Sequence, residues 1–266
     1  MGARLPPLGL AAAWAVLAPV LAWALLPGLF AAQNPLEGLP GQQLRPPDAA
    51  HWFGTDGLGR DQLARVVYGA RESLLGASLA VLVGFSAGTA LGVLAGAAGG
   101  LPEAVVMRLV DTLLAIPSLL LSLSVIVLLG FGSVNAAVAV GIVSVAHFAR
   151  LARAEVLRVR HADYVEAAFG SGGRFLAVLW RHVLPNALTS VLALAALQFG
   201  SAILALATLG FLGYGAPPPT PEWGLLIAEG RDFLGRAWWL TAAPGVVVIL
   251  VVLAAERVSR SIGARL

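Results

Sequence analysis

Two residue types that often supply phosphate-binding, nucleophilic or metal-binding groups, lysine and cysteine, are absent from this sequence. All 17 basic residues are arginine, so the phosphate-binding lysine of a P-loop is missing and a conventional ATPase site is excluded. The absence of cysteine excludes thiolate nucleophiles, thiolate metal sites and disulfides. The four histidines lie scattered in loops and at span ends, without the helical spacing of a two-histidine metal site: His51, His147, His161 and His182. We therefore expect no ATPase site, no cofactor and no bound metal in this chain.

One polar segment, residues 163–185, instead has the composition of a docking surface. Asp163 could cap a short helix, with Glu166 three residues on as its capping-box partner. Ala167 and Ala168 carry little side-chain bulk, so a partner could approach closely. Three glycines would end the helix: Gly170, Gly172 and Gly173. Because Pro185 fits the first turn of a following span, we predict a short helix tied at both ends.

The remainder of the chain is almost continuously apolar. Of 266 residues, 59% are hydrophobic and 12% are charged, and the mean hydropathy is +0.86. These values predict an all-α integral membrane protein with several spans. The net charge of +3 does not indicate nucleic-acid binding, because the arginines border apolar spans.

The apolar stretches predict six transmembrane helices, since one crossing takes about 20 residues. The first is too long for the core of a signal peptide and is expected to be an uncleaved anchor. Turn residues at 130–135 divide a longer apolar stretch into the third and fourth helices. The predicted helices occupy about 8–30, 73–97, 106–129, 134–153, 187–212 and 237–257.

The placement of arginine predicts the orientation. With six spans both termini share one side, which would hold eleven arginines, including Arg4 and Arg265, against six on the other side. The positive-inside rule then places both termini and the loop 154–186 in the cytoplasm.

Two segments would lie on the outer side. Within residues 31–72, the stretch from Arg60 to Tyr68 has apolar residues on one helical face and predicts a short amphipathic helix at the surface. Residues 213–236 include a proline-rich stretch that is expected to be stiff and without regular structure. Such a loop could form a docking rim or serve as a plain connector.

Small residues recur along the spans, for example at Gly84, Gly88, Gly92 and Gly96. This spacing predicts close packing between helices. No span carries a central pair of charges, and Arg108 and Asp111 fall at an inner edge. The sequence therefore gives little support for a proton relay of the kind that ion-coupled carriers use.

The polar segment resembles the EAA loop of permease subunits in binding-protein-dependent ABC importers. The shared pattern is Glu166-Ala167-Ala168, Gly172 after three residues, and Leu184-Pro185 after a further stretch. Other segments resemble the dipeptide, oligopeptide and nickel branch, and in particular its second, shorter permease. They are Phe53–Asp61, Met107–Asp111 with Ile116–Ser118, and Pro218–Gly224 with Ala228–Arg231.

This resemblance implies a type I ABC importer permease fold in the cytoplasmic (inner) membrane. It implies an anchor helix at 1–35, an outer segment at 36–72, a permease domain at 73–258 with a coupling helix at about 162–173, and a cytoplasmic tail at 259–266. The implied partners are a longer homologous permease, two cytoplasmic ATPase subunits and an extracytoplasmic solute-binding protein. The residues implied to seat the ATPase are Asp163, Tyr164, Glu166, Ala167, Ala168 and Gly172. The candidates for the outer rim or gate are Asp56, Arg60, Asp61, Pro219 and Trp223.

Several functions remain open from the sequence. The leading hypothesis is import of dipeptides or oligopeptides, and import of nickel or another metal complex by the same fold is the alternative. An ion-coupled carrier is disfavoured by the lack of midspan carboxylates, and a non-transporting scaffold would not need both a stiff outer loop and an inner docking helix.

Overall fold

The computed structural model describes residues 7–263, with side chains over 9–261, and the regular elements in that range are all helices. Arg4 and Arg265, which entered the orientation prediction, lie outside the described residues. The α-helices are α1 (Pro7–Leu25), α2 (Gln62–Ala98), α3 (Gly100–Ala115), α4 (Ser118–Leu129), α5 (Ser133–Arg160), α6 (Asp163–Gly170), α7 (Phe175–Val178), α8 (Leu184–Phe211), α9 (Trp223–Gly230) and α10 (Trp239–Gly263).

Each of the six predicted spans corresponds to helical structure. Four helices are long and apolar enough to cross a membrane: α2, α5, α10 and the run Phe175–Phe211, in which a π-helical turn at Leu179–Val183 joins α7 to α8. The bent pair α3 and α4 supplies a fifth crossing if the two count as one span. The 19 residues of α1 rise roughly 28 Å, close to the ~30 Å of a bilayer core.

The third predicted span is not one helix. Between α3 and α4 the chain bends by 101° at Ile116–Pro117. Pro117 has no N–H to donate, and its ring disfavours helical geometry at Ile116, which is extended (φ −87°, ψ 131°). The prediction of a continuous helix over 106–129 was therefore wrong.

The predicted amphipathic helix at 60–68 is not separate and does not lie at the surface. Its residues from Gln62 onward form the first turns of α2, which continues without a break to Ala98. The Asp61 carboxylate caps α2 by accepting the N–H of Ala64 at 2.7 Å. Because Val66 and Val67 are buried in the bundle, the apolar face that the sequence displays packs against protein.

Glycines bring α2 and α5 together. A Cβ added at Gly88 would lie 2.5 Å from the carbonyl oxygen of Val145, and one at Gly84 would lie 2.7 Å from the Cβ of Ser144. Only a residue without a side chain allows this approach. The predicted close packing is confirmed, and it fixes α5, the helix that leads into α6.

The loop after α8 is partly helical. Residues 217–221 are irregular, as the prolines predict, but α9 follows at once. Glu222 starts α9 by accepting the N–H groups of Gly224 and Leu225 at 2.9 and 3.1 Å. The proline-rich stretch is therefore irregular as expected up to Glu222, and only its last two residues, Trp223 and Gly224, belong to a helix.

Candidate functional site

The predicted docking helix is α6, which follows α5 after two residues. Ala162 is the N-cap residue and offers no side-chain hydrogen bond, and Asp163 is already the first helical residue. The expectation that Asp163 caps the helix with Glu166 as its partner was wrong. Both carboxylates nevertheless lie in the first turn, where the positive end of the helix dipole favours negative charge.

Val165 anchors α6 to the bundle. Its side chain is fully buried in an apolar cluster with residues of α5 and of the chain after α6: Val156, Val159, Val178, Val183 and Ala187. The other residues of this helix named from the sequence face outward: Asp163, Tyr164, Glu166 and Ala167 are exposed, and Ala168 is half-buried. The helix is therefore held by one face and presents the opposite one.

Two glycines close the C-terminal end of α6. The N–H of Gly172 donates to the carbonyl of Phe169 at 2.9 Å, and the N–H of Gly173 donates to the carbonyl of Ala168 at 3.0 Å. This is a Schellman motif, and Gly172 occupies its left-handed position with φ +84°. A Cβ at Gly172 would meet nothing within 4 Å, whereas one at Gly173 would lie 2.6 Å from the Ala168 oxygen. Gly172 is thus required for its conformation and Gly173 for space.

Aromatic contacts secure the chain beyond this turn. The rings of Phe169 and Phe175 stack with centroids 6.5 Å apart, and the guanidinium of Arg160 lies 5.9 Å from the centroid of Phe175. The ends of α5, α6 and α7 are therefore linked to one another. The chain then enters α8, whose first turn contains Pro185 as predicted.

Ion pairs brace the same end of α5 against its neighbours. Arg153 donates to Glu103 of α3 at 2.8 Å, and Arg150 pairs with Asp111 of α3. Arg160 donates to a backbone carbonyl near the end of α2 at 3.1 Å. A displacement of α6 would consequently be transmitted through α5 to α2 and α3.

A cleft of about 720 Å³ opens beside α6. Tyr164 of α6, Arg158 of α5 and Arg260 of α10 line it together with Asn186 and Ser190 of α8. This cleft combines arginine side chains with uncharged hydrogen-bonding groups next to the exposed face of α6. Since Arg158 and Arg260 are each paired with a glutamate of their own helix, the cleft suits a protein partner that presents polar residues.

At the opposite end of the bundle, the charged candidates for an outer rim are buried in an ion-pair network. Asp56 Oδ2 lies 2.6 Å from Arg60 Nε and 2.9 Å from Arg65 Nη1. Arg65 Nη1 also lies 2.5 Å from Glu229 Oε2 in α9. Asp56, Arg60 and Asp61 are each at most 7% exposed, so they do not form a charged surface. Arg60, together with Arg65, which pairs with Asp56, reaches Glu229 and so holds the segment before α2 against α9.

Sequence reasoning missed three members of this outer network. Arg65 and Glu229 are separated by 164 residues, so no local pattern connects them. His51 Nδ1 lies 2.8 Å from Asp61 Oδ2. The signal available was the four-residue spacing of Asp56 and Arg60, which marks a local pair but not its distant partner.

Trp223 also belongs to the core and not to the rim. Its side chain is fully buried, and its Nε1 donates to the carbonyl of Val66 at 3.0 Å. Its backbone N–H donates to Ser73 Oγ at 3.2 Å. Direct contact of this side chain with a docking partner is therefore ruled out in this structure, whereas Pro219 is exposed and stays a candidate.

Glu222 is the group with a strongly shifted pKa in this outer region. Burial raises the pKa of Glu222 from 4.5 to about 7, against the opposing effect of the two backbone N–H groups that it accepts. The carboxyl packs against Gly210 and Gly215. A proton on Glu222 therefore favours the packed arrangement of α9 on α8.

The described residues offer candidate docking surfaces at both ends of the bundle. Within residues 9–261, no group of three His, Asp or Glu side chains is placed to hold a metal ion.

The family described as "Binding-protein-dependent transport system inner membrane component" matches residues 88–266. The chain is 45% identical over 202 residues to the di/tripeptide transport system permease DppC of Pseudomonas aeruginosa (strain UCBPP-PA14), covering 76% of this chain and 67% of that protein. It is 42% identical over 241 residues to the dipeptide permease DppC of Escherichia coli (strain K12), covering 88% and 80%. It is 40% identical over 208 residues to the glutathione permease GsiD of Pectobacterium atrosepticum, covering 78% and 69%.

Among solved structures, the chain resembles one from the methionine ABC transporter MetNI in an inward-facing conformation. The TM-score is 0.58 at 19% sequence identity, and the match covers 74% of this chain and 96% of that chain. At this level of identity the likeness shows the fold.

Proposed function

Because this chain belongs to the binding-protein-dependent transport system inner membrane components, we propose that it imports peptides and that α6 couples it to ATPase subunits. As a member of that family it is a multi-pass inner-membrane permease subunit of an ATP-driven importer, with the type I permease fold predicted from the sequence. It is not an enzyme, since ATP hydrolysis in such systems takes place in partner subunits.

The observation that carries the proposed coupling is the way α6 is held. It offers Tyr164, Glu166 and Ala167 on its exposed face while Val165 fixes its other face in the bundle. The short turns at both ends leave it little freedom to move independently of α5 and α8. When two ATPase subunits close, a helix seated in each would therefore carry that displacement into the spans.

Peptides are the proposed cargo. The relatives reported above are named as transporters of dipeptides, di- and tripeptides, and glutathione, and the shared ligand chemistry is a short chain of amides. These relatives match 76 to 88% of the chain.

We further propose that both termini and α6 lie in the cytoplasm. The clustering of arginine around α6 and the end of α5 supports this orientation. A longer homologous permease would complete the bundle, and an extracytoplasmic binding protein would dock near the exposed prolines 217–219.

A bulky residue on α6 tests the coupling. In the assembled complex, Ala167→Trp should leave the protein in the membrane but abolish ATP hydrolysis stimulated by the loaded binding protein. Ala104→Trp is the matched control, because Ala104 is also an exposed alanine at the α6 end of the bundle but lies on α3. Equal activity of the two variants would contradict the assignment of α6.

A further inference from the structure

A cavity with a mixed polar and apolar lining lies among the spans, away from both the α6 end and the outer ion-pair network. It has a volume of about 430 Å³ and opens between α4, α5 and α8. Its polar lining residues are Ser118, Ser122, Ser144, His147, Gln198, Ser201 and Thr208. On α8, the spacing of 198, 201, 205 and 208 places the lining residues on one helical face.

Gln198 cannot be accommodated in lipid. It is half-buried at the midpoint of α8, and its amide makes no hydrogen bond to any residue in the described part of the chain. Ser144 and Thr208, by contrast, donate to carbonyls of their own helices at 3.1 and 2.8 Å. An amide without partners in hydrocarbon costs several kcal/mol, so Gln198 requires water, a ligand or a polar group of the partner permease in front of it.

The broken helix gives a second, independent indication. Ser118, the first residue after the break at Ile116–Pro117, lines the same cavity. Irregular backbone at membrane depth is stable only where it is buried in protein or faces a water-filled space. Water in this cavity would hydrogen-bond both to the backbone groups left free at the break and to the Gln198 amide.

The lining has hydrogen-bonding capacity without fixed charge. His147 is its one titratable residue, and no Asp, Glu or Arg contributes to it. Such a surface can exchange hydrogen bonds with peptide amides, whichever side chains they carry. A surface without fixed charge would also bind the charged ends of a peptide only weakly. Weak binding at each point of the path is needed for the cargo to be released.

We infer that this cavity is the face on which the chain passes its cargo, an uncharged surface that hydrogen-bonds to the peptide main chain through Gln198 and Ser201. This inference rests on the proposed function. It names the residues that would contact the cargo. It also implies that discrimination between peptides by their side chains takes place elsewhere than on this surface.

The absence of cysteine makes a direct test possible. In the reconstituted complex, Ser201→Cys is labelled with a water-soluble thiosulfonate and compared with Ser86→Cys. Ser86 is also an exposed span serine, but it donates to Leu82 on its own helix at 2.7 Å and lies beside exposed apolar residues of α2. Because only a hydrated thiolate reacts, we expect labelling at 201 to be faster by about tenfold or more.

Addition of L-alanyl-L-alanine with binding protein and ATP should slow labelling at 201 and leave position 86 unchanged. Labelling at 201 that is no faster than at 86, or that the dipeptide does not slow, would overturn the inference.

Gln198→Leu should lower dipeptide uptake at least about tenfold, as expected for a lost amide contact, and Gln198→Asn should restore part of it. Full uptake by Gln198→Leu would also overturn the inference. The coupling test separates this inference from the proposed function. If Ala167→Trp loses stimulated ATP hydrolysis and Ala104→Trp keeps it, a negative result at Ser201 or Gln198 overturns only the inference about the cavity.

Discussion

Gly172 provides the most quantitative test of the docking helix. Its φ of +84° lies in the left-handed region, where an L side chain costs about 1–2 kcal/mol. Since a Cβ there would contact nothing within 4 Å, Gly172→Ala adds this conformational cost and no steric clash. The Schellman turn of α6 should therefore open about 5- to 30-fold more often.

Two further variants isolate that cause. Gly172→Asn should lose less, because asparagine tolerates the left-handed region better than alanine. Gly170→Ala should cost nothing, since Gly170 is helical and a Cβ there also meets open space. The order of turn stability is thus expected to be glycine, then asparagine, then alanine at 172, with no loss at 170.

Hydrogen exchange of residues 168–174 measures the opening, because the amides of Gly172 and Gly173 donate the two bonds of the turn. ATP hydrolysis stimulated by the loaded binding protein, measured on the same complexes, should fall in the same order. If Gly172→Ala exchanges at the wild-type rate, or if Gly170→Ala is equally damaging, the conformational account of this turn is refuted.

Three other substitutions probe the anchor, the outer network and the buried carboxyl. Val165→Ala should destabilise the docking of α6 by about 1.5 kcal/mol or more, seen as faster proteolysis within 163–173, whereas Val134→Ala, at an exposed position, should not change it. Arg65→Met leaves Glu229 and Asp56 short of a partner and should cost about 3 kcal/mol, seen as a lower melting temperature and faster cleavage of residues 42–61; an unchanged melting temperature would contradict the network. The raised pKa of Glu222 stabilises the fold below pH 4.5, and this contribution, on the order of 3 kcal/mol, is lost as pH rises through about 7. The melting temperature should therefore fall between pH 5 and pH 8 in the wild type and fall less in Glu222→Gln, and equal slopes would show that Glu222 does not titrate in this range.

Much of the fold follows from short-range patterns. Apolar stretches separated by turn residues locate the helices, and the glycines at 170–173 locate the end of α6, because both signals act within a few residues. The bend at Ile116–Pro117 was also visible in the sequence as an X-Pro step, but hydropathy alone masked it.

The outer region could not be predicted in the same way. Whether the face that includes Val66 meets lipid, water or protein depends on α9, which lies more than 150 residues later in the chain. Trp223 is similar, since an aromatic residue after prolines suits either a rim or a core, and only its contacts with Val66 and Ser73 decide. The seating of an ATPase on α6 and the domain boundaries drawn from the sequence stay predictions.

Cross-linking from α6 tests the central claim most directly. The chain has no cysteine, so Ala167→Cys introduces a single thiol on the exposed face of the helix, and Ala104→Cys provides the control on α3. In the assembled complex, a short thiol-to-amine cross-linker should join position 167 to an ATPase subunit, with a yield that changes when ATP is added, and should join position 104 far less. A cross-link to the ATPase from 104 but not from 167 would contradict the identification of α6 as the coupling helix.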